Sequence, residues 1–161
     1  MAMDMFIEID GIKGECVLDK STDAIDVLAW SWGLNQSGTM HTGTGGGGGR
    51  VDVQDISYTQ WLEKSAPRLM QACSKGEELK EARLIMRKAG GKEPIDYLVI
   101  TMKPVLISSV STGGSGGEDR LTMNVTLNFA EVKVSYQQQK SDGSKEGGPI
   151  DYQWDIAKNK E

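Results

Sequence analysis

Residues 120–129 read RLTMNVTLNF, and their alternation indicates the fold class. Apolar side chains take every odd position from 121 to 129, and uncharged polar side chains take every even position from 122 to 128. A period of two is typical of a β-strand that buries one face and leaves the other in solvent. The polar side of this strand carries no ionisable group, although lysine and glutamate are common on exposed faces.

Beyond residue 129 the apolar parity changes from odd to even, because Ala130, Val132 and Val134 are apolar while Glu131 and Lys133 are polar. A regular strand cannot keep one face buried across such a change. Either a β-bulge lies near residues 129–131, or the strand leaves one sheet and enters another. Long strands that bend in this way are common where sheets close into barrels.

Further strands are predicted on both sides of this stretch. Period-two patterns cover residues 5–9, 25–34, 51–60, 82–88, 95–103 and 105–110, with a weaker one at 150–156. Pro104 is expected to bend the chain between two of them. The sequence therefore predicts a mainly β protein, a small closed or near-closed β-barrel of two packed sheets.

One segment, SAPRLMQACSKG at 65–76, has helical spacing instead. Ser65 is a suitable N-cap, Pro67 suits the first turn, and Gly76 can end a helix in the left-handed conformation. We therefore predict one short α-helix over about residues 66–75. Its apolar face is expected to hold Leu69, Met70 and Cys73.

Composition excludes several classes of protein. The chain has 161 residues, of which 38% are hydrophobic, and this size suits a single domain over residues 1–161. The net charge of −5, without basic runs, disfavours nucleic-acid binding. No stretch approaches the 18 apolar residues of a membrane span, and the start MAMDMFIEIDGIKGE lacks the basic region of a secretory signal. Synthesis in the cytoplasm, without a cleaved signal peptide, is the expectation.

Metal and thiol chemistry have little support in the sequence. Cys16 and Cys73 form no CxxC, and His41 is the one histidine, so a zinc site lacks ligands. A Cys–His catalytic pair has no local pattern behind it. We predict no catalytic residues, no metal ligands and no cofactor.

The stretch HTGTGGGGGRV at 41–51 formally matches GxGxxG, which any glycine run does. A dinucleotide or Walker loop needs a following helix or a GK[ST] motif. Here VDVQDIS follows with strand-like alternation, and Arg50 stands where the lysine would be. A loop over about residues 36–50, either a passive connector or one that orders on a partner, is favoured over a phosphate site.

Residues 27–33, VLAWSWG, contrast bulky with small side chains. Leu28, Trp30 and Trp32 share one parity and are predicted to face the core. The small residues of the other parity, among them Ala29 and Ser31, fit either close sheet packing or the smooth wall of a channel.

Several motifs, in order along the whole chain, resemble the haemolysin-coregulated protein (Hcp) family of the bacterial type VI secretion system. These are FIEIDGIKGE, VLAWSWG, KSAPRLMQACSKG, RKAGG, SSVSTGGSGGEDRLT and VTLNFAEVKVSY. The resemblance implies a small β-barrel with one helix, which assembles into homohexameric rings. It also implies that the rings stack into a tube inside a contractile sheath and that a spike protein tips the tube. The protein would be secreted with effector proteins in the lumen, with no catalysis.

The resemblance implies roles for three sets of residues. Ala29 and Ser31 are expected to face the lumen and its cargo. The uncharged face of the 120–129 strand, an ordinary exposed face or else a subunit contact or lumen wall, offers contact candidates at Thr122, Asn124, Thr126 and Asn128. The loop is expected to reach an adjacent subunit or ring through Thr39, His41, Thr42, Gly45, Gly46, Gly47, Gly48, Gly49 and Arg50.

Two alternatives remain at this point. The first is a tail-tube protein of a contractile phage-like particle, which the sequence does not separate from a secretion tube. The second, from another class, is a nucleotide-binding enzyme that uses residues 43–50, and the missing Walker lysine argues against it.

Overall fold

The molecule is built mostly of antiparallel strands. The computed structural model describes residues 3–18, 21–38, 40–43, 47–88 and 92–161. Within them lie ten strands, one α-helix and a short 3-10 turn at Met40–Thr42. The elements are β1 (Met3–Ile9), β2 (Ile25–Ser31), β3 (Leu34–Asn35), β4 (Asp52–Val53), β5 (Ile56–Trp61), α1 (Ser65–Lys75), β6 (Glu78–Leu79), β7 (Ala82–Lys88), β8 (Ile95–Thr112), β9 (Thr122–Tyr136) and β10 (Ile150–Asp155).

Six of these strands close into a barrel. The sheet runs β9-β5-β2-β1-β7-β8 and returns to its start, because β8 also pairs with β9. Every pairing around the ring is antiparallel. Closure satisfies the backbone groups that an open sheet would expose at its edges. The predicted barrel with one short helix is confirmed.

The parity change in β9 marks an exchange of partners. The first part of the strand, up to Leu127, pairs with β5, whereas residues from Glu131 onward pair with β10. The ladder to β8 continues without a bulge through Val105↔Phe129 and Lys103↔Glu131. Neither explanation offered by the sequence holds: no bulge interrupts the β8 ladder at 129–131, and β9 does not enter another sheet, because β5 and β10 belong to the same eight-stranded sheet.

Pro104 does not divide β8, contrary to the prediction of two strands. The strand runs unbroken from Ile95 to Thr112. Its pairing with β7 ends at Met102, and its pairing with β6 begins at Val105. Pro104 falls in the gap between these two ladders, where its missing N–H interrupts no pairing with either strand.

Helix α1 begins one residue earlier than predicted, and Ser65 is not its N-cap. Lys64 holds the N-cap position without a side-chain bond. The free backbone N–H groups are satisfied by carboxylates: Lys64 N donates to Glu15 Oε2 at 2.6 Å, and Ser65 N donates to Glu63 Oε1 at 3.2 Å. Gly76 ends the helix with φ +60°, as predicted. Met70 is 40% exposed and does not share the buried face with Leu69.

Two apolar clusters stabilise the fold. The larger fills the barrel, and its fully buried members include Ile7, Ile25, Ile56, Leu84, Ile100, Met102, Ile107 and Leu127. The smaller lies on the opposite side of β1 and β7, where the β1–β2 connection covers the sheet. It consists of Phe6, Cys16, Ala24 and Ile85.

The two predicted strands 25–34 and 51–60 are each interrupted. The chain leaves β2 after Ser31 and forms a separate small sheet, in which Leu34 pairs with Val53 and Asn35 pairs with Asp52. The glycine-rich segment 36–50 connects the two strands of this sheet. It therefore extends beyond the end of the barrel at which β2 finishes and β5 begins.

Candidate functional site

A continuous polar face covers the outside of four neighbouring barrel strands, β2, β5, β9 and β8. Cross-strand pairing sets its residues in two rows, one through Ser31, Ser57, Thr126 and Ser109, the other through Ala29, Thr59, Asn124 and Ser111. We call these eight residues the polar face. All eight side chains are small or short, and none is ionisable.

Several polar side chains of the polar face form hydrogen bonds with one another. Thr59 Oγ1 donates to Asn124 Oδ1 at 2.7 Å, and the hydroxyls of Ser57 and Thr126 lie 3.2 Å apart. Cross-strand pairs of this kind also stabilise the sheet. A shallow depression of about 280 Å³ lies over the face, bordered by Ala29 and Ser31. A partner that packs here meets few unsatisfied groups and no charge.

Ala29 and Ser31 are exposed, as a role at the lumen requires. The prediction that Leu28 faces the core together with Trp30 and Trp32 is wrong for Leu28. Val27 is buried at 5% exposure, whereas Leu28 is 37% exposed. The cause is a β-bulge: Val27 pairs with Gln60 and Ala29 with Thr59, so Leu28 is an extra residue that reverses the parity.

The two tryptophans of this stretch do lie toward the core. Trp30 and Trp32 are half-buried and pack against the large apolar cluster. The indole Nε1 of Trp32 donates to the carbonyl oxygen of Gln54 at 2.8 Å, which ties the end of β2 to the start of β5.

The contact candidates on β9 belong to this same surface. Asn124 is exposed and Thr126 half-buried within the polar face. Thr122 is half-buried, and its carbonyl oxygen accepts from Thr112 Oγ1 at 2.9 Å. Asn128 is exposed at the end where the small sheet begins. The structure thus unites the predicted cargo positions and the predicted contact positions on one surface.

The β5 contribution to this surface was not assigned a role from the sequence. The stretch ISYTQW alternates, and its odd positions Ser57 and Thr59 continue the uncharged pattern of β9. This alternation is the signal that could have identified them, once β5 and β9 were known to be neighbours.

Charged side chains lie at both ends of the face. At one end, Asp55 Oδ1 accepts from Asn128 Nδ2 at 2.8 Å, and the single hydroxyl hydrogen of Ser108 is shared between Asp55 Oδ2 at 3.2 Å and the carbonyl oxygen of Thr126 at 3.1 Å. At the other end, the guanidinium carbon of Arg120 lies 4.4 Å from the ring centroid of Trp61. Neither position was singled out from the sequence.

The glycine-rich loop is only partly described. Gly38 and Gly48 form a bridge, Gly43 has φ +97°, and His41 and residues 47–49 are exposed. Arg50 Nη2 donates to the carbonyl oxygens of Ile156 at 2.6 Å and of Ala157 at 3.0 Å, which anchors the base of the loop to the C-terminal segment. Thr39, Gly45 and Gly46 fall outside the described residues, and Thr42 is described only by its place in the 3-10 turn.

The described surroundings of the loop do not resemble a nucleotide site. Strand β4 follows Arg50, so the loop does not lead into a helix that could direct N–H groups at a phosphate.

Burial raises the pKa of the Cys16 thiol, and Asp26 raises it further, so the thiolate needed for nucleophilic attack is scarce at neutral pH. Among the described residues, no cluster of three or more His, Cys, Asp and Glu side chains is placed to hold a metal ion. In the same part of the chain, no helix has both the length and the apolar character needed to cross a bilayer.

Comparison with known proteins gives consistent matches. The family model described as "Type VI secretion system effector, Hcp" matches residues 6–136. The chain is 60% identical over 159 residues to the protein Hcp1 of Pseudomonas aeruginosa, a match that covers 99% of this chain and 98% of that protein.

Solved structures agree with these matches. Hcp1 from Salmonella typhimurium is 36% identical, with a TM-score of 0.81 and 99% of both chains covered. A structure described as a type six secretion system protein is 28% identical, with a TM-score of 0.91 and 99% of both chains covered.

Proposed function

Because the chain belongs to the Hcp family of the type VI secretion system, we propose that it forms homohexameric rings whose polar face lines a central lumen. The rings stack into the inner tube of the apparatus, and effector proteins bind to the polar face before export. The observation that carries this proposal is the polar face itself, a surface of eight adjacent residues without an ionisable group.

An uncharged lumen wall suits cargo of varied sequence. A fixed charge on the wall would lose water when cargo packs against it, and it would favour only partners that supply the opposite charge. Short hydroxyl and amide groups that already bond one another, such as Thr59 with Asn124 at 2.7 Å, lose less on desolvation. Small side chains such as Ala29 also leave room for cargo side chains of different shapes.

The closed barrel limits which surfaces can join copies of the chain into a ring. The barrel is closed, so a ring of copies has to form through side-chain surfaces and through the free edges of β6 and β10, each of which has one pairing partner in the sheet. The candidates Thr122, Asn124, Thr126 and Asn128 stay a prediction, either as the lumen wall or as a subunit contact. We favour the wall, because Asn124 and Thr126 adjoin Ser31 and Ala29 through β5.

The remaining partners follow from the role of a tube. The tube passes through sheath proteins and ends in a spike protein, and secretion proceeds without a cleaved signal peptide. These partners are proposed from the family. No cofactor, nucleic acid or membrane insertion is needed for the role.

The number of copies is the first test. Native mass spectrometry is expected to give a species of about six times the chain mass of 17.5 kDa, and negative-stain images should show six-membered rings with an open centre. A protein that stays monomeric at micromolar concentration would contradict the ring. A ring in which the polar face lies between subunits would contradict the lumen assignment alone.

A further inference from the structure

Strand β10 has one side that no other strand covers. It stands last in the order of the eight-stranded sheet, and among the described residues β9 is its one strand partner. An uncovered strand presents backbone N–H and C=O groups in a row, and a strand of another chain can pair with them. At the other end of the sheet, β6 is two residues long and offers such a strand little. The side of β10 that faces away from β9, which we call the outer edge, is therefore the longer open edge.

The backbone hydrogen bonds show which residues form the outer edge. In an antiparallel ladder, the N–H and C=O groups of successive residues point alternately to the two sides of the strand. Ile156 N donates to the carbonyl oxygen of Ala130 in β9 at 2.9 Å, whereas Asp155 N donates away from β9, to the carbonyl oxygen of Lys160 at 2.7 Å. The odd-numbered residues of β10 therefore face outward, and these are Asp151, Gln153 and Asp155.

Residues 156–160 fold back over one end of the outer edge, and we call them the cap. Lys160 bonds Asp155 in both directions, since the carbonyl oxygen of Asp155 also accepts from Lys160 N at 3.2 Å. The carboxylate Oδ1 of Asp155 accepts from Lys158 N at 2.9 Å. Asn159 closes the turn with φ +54°, a left-handed conformation that asparagine adopts more readily than most residues. The cap thus occupies both backbone groups of Asp155 that a second strand would need.

Arg50 fixes the start of the cap from a distant part of the chain. Its Nη2 donates to the carbonyl oxygens of Ile156 at 2.6 Å and of Ala157 at 3.0 Å. Hydrogen bonds from a charged donor are stronger than neutral ones. The cap is therefore anchored at both ends, by Arg50 at its start and by Asp155 at its end.

The sequence of β10 also opposes pairing with a second copy of itself. Two such strands can pair antiparallel only in registers that set outward residues opposite one another. The register centred on Gln153 places Asp151 opposite Asp155 of the other copy, and directly opposed like charges destabilise a strand pair. The register centred on Tyr152 places Pro149, which has no N–H, opposite Asp155. Both registers include Asp155, whose backbone groups the cap occupies.

We propose that residues 156–160 are an autoinhibitory cap, which prevents the outer edge of β10 from pairing with the β10 of a second copy. The cap leaves open the backbone groups of Asp151 and Gln153, for which the described residues supply no partner on that side. The contact is a property of the single chain, and its consequence for assembly rests on the proposed ring. Antiparallel pairing of identical strands relates two copies by a two-fold axis, whereas neighbours in a ring are related differently. Such pairing would divert copies from the ring into dimers.

A cysteine at position 153 can detect this pairing. The register centred on Gln153 sets this residue of both copies face to face, with Cα atoms about 5.5 Å apart, which a disulfide can span. Removal of residues 158–161 deletes Lys160 and keeps both carbonyls that Arg50 binds. With oxidised glutathione, Gln153→Cys in the shortened chain should give about tenfold or more linked dimer than in the full chain, because two backbone hydrogen bonds no longer compete. Gel electrophoresis without reductant measures the dimer, and the shortened chain that retains Gln153 corrects for links through Cys73.

Asn159 offers a matched pair of variants that keeps the length of the chain. Asn159→Gly is compatible with the left-handed turn, whereas Asn159→Val opposes it, because a β-branched residue strongly disfavours positive φ. The Asp155 amide should exchange with deuterium about tenfold faster in the valine variant than in the glycine variant. Combined with Gln153→Cys, the valine variant should also give more linked dimer than the glycine variant.

Three results would each overturn the proposal. The first is as much linked dimer from the full chain as from the shortened one, when circular dichroism shows both to be folded. The second is equal exchange of the Asp155 amide in the glycine and valine variants, and the third is equal linked dimer from these two variants. If the shortened chain does not fold, the two Asn159 variants decide alone. These results concern the edge of a single chain, whereas the absence of rings in the wild type would contradict the proposed function.

Discussion

The side-chain amide of Gln60 joins the barrel to the helix, because its Nε2 donates to Oγ of Ser65 across 2.9 Å. The other end of the amide, Oε1, accepts from the hydroxyl of Tyr58 at 2.9 Å. Gln60 is fully buried, and burial raises the pKa of the Tyr58 phenol well above its ordinary value, so the phenol stays a proton donor. A short chain of hydrogen bonds thus crosses the apolar interior.

Gln60→Ala should destabilise the protein by about 3 kcal/mol, because it leaves two buried hydroxyls, those of Tyr58 and Ser65, without this partner. The free energy of unfolding from urea titration measures the effect. Thr59→Ala is the matched control on the neighbouring, half-buried position of the same strand; it removes one cross-strand hydrogen bond to Asn124 and should cost about 1 kcal/mol or less. Equal costs for the two substitutions would show that the buried network adds nothing.

Ser31→Glu should leave folding and ring assembly intact and abolish or strongly weaken effector binding. Ser31 is exposed, so the direct cost to stability is about 0.5 kcal/mol or less. A carboxylate on the polar face would lose solvent against cargo without gaining a partner. Co-purification of a cognate effector with intact rings measures the binding.

Three controls accompany Ser31→Glu. Ser31→Ala keeps the surface small and uncharged and should retain cargo, and Thr22→Glu adds the same charge at an exposed site outside the face. Trp30→Ala should cost about 2 kcal/mol, less than a fully buried tryptophan, because Trp30 is only half-buried. If Ser31→Glu lowers the free energy of unfolding as much as Trp30→Ala does, both faces of β2 are packed and the strand does not line a channel.

Replacing residues 45–49 with a two-residue turn should spare folding but weaken the stacking of rings. Five glycines lose much conformational entropy when they become ordered, so we expect contact with a neighbouring copy to add to the order that the Gly38–Gly48 bridge provides. Gly47→Ser is the control that keeps the length, since an added Cβ there meets no atom within 4 Å. Tube formation and secretion at wild-type levels after the shortening would identify the loop as a passive connector.

Local patterns were sufficient for most of the fold, and they failed where a single residue changes the register. The alternation predicted the strand β9, and its change of parity predicted either a bulge or a change of sheet, whereas the strand exchanges β5 for β10 within one sheet. The alternation around Leu28 predicted the wrong face, because a bulge depends on how β2 meets β5 and leaves no mark in the spacing of apolar residues. Ser65 was a suitable N-cap by type, but Glu15, 50 residues earlier, supplies a cap that local sequence could not indicate.

The candidate site, like the fold, could be predicted from the sequence only in part. The exposure of Ala29 and Ser31 could be predicted only with the family resemblance, because their small size fits close sheet packing as well. The union of these positions with Asn124 could not, because it requires β5 to lie between β2 and β9. The charged ends of the face depend on contacts between distant positions, as for Asp55 with Asn128.

Cys16 lies within the β1–β2 connection and packs against the sheet, so its thiol can report on local opening of the structure. Cys16 is 3% exposed while Cys73 is half-buried, and both thiols are free. An alkylating reagent should therefore modify Cys73 readily, and it can reach Cys16 only when the connection lifts away from Phe6 and Ile85. Because the two sites differ in accessibility within one molecule, the ratio of their labelling rates measures that local opening without an introduced probe. The same ratio, compared between free protein and assembled tubes, would show whether assembly holds this covering segment closed.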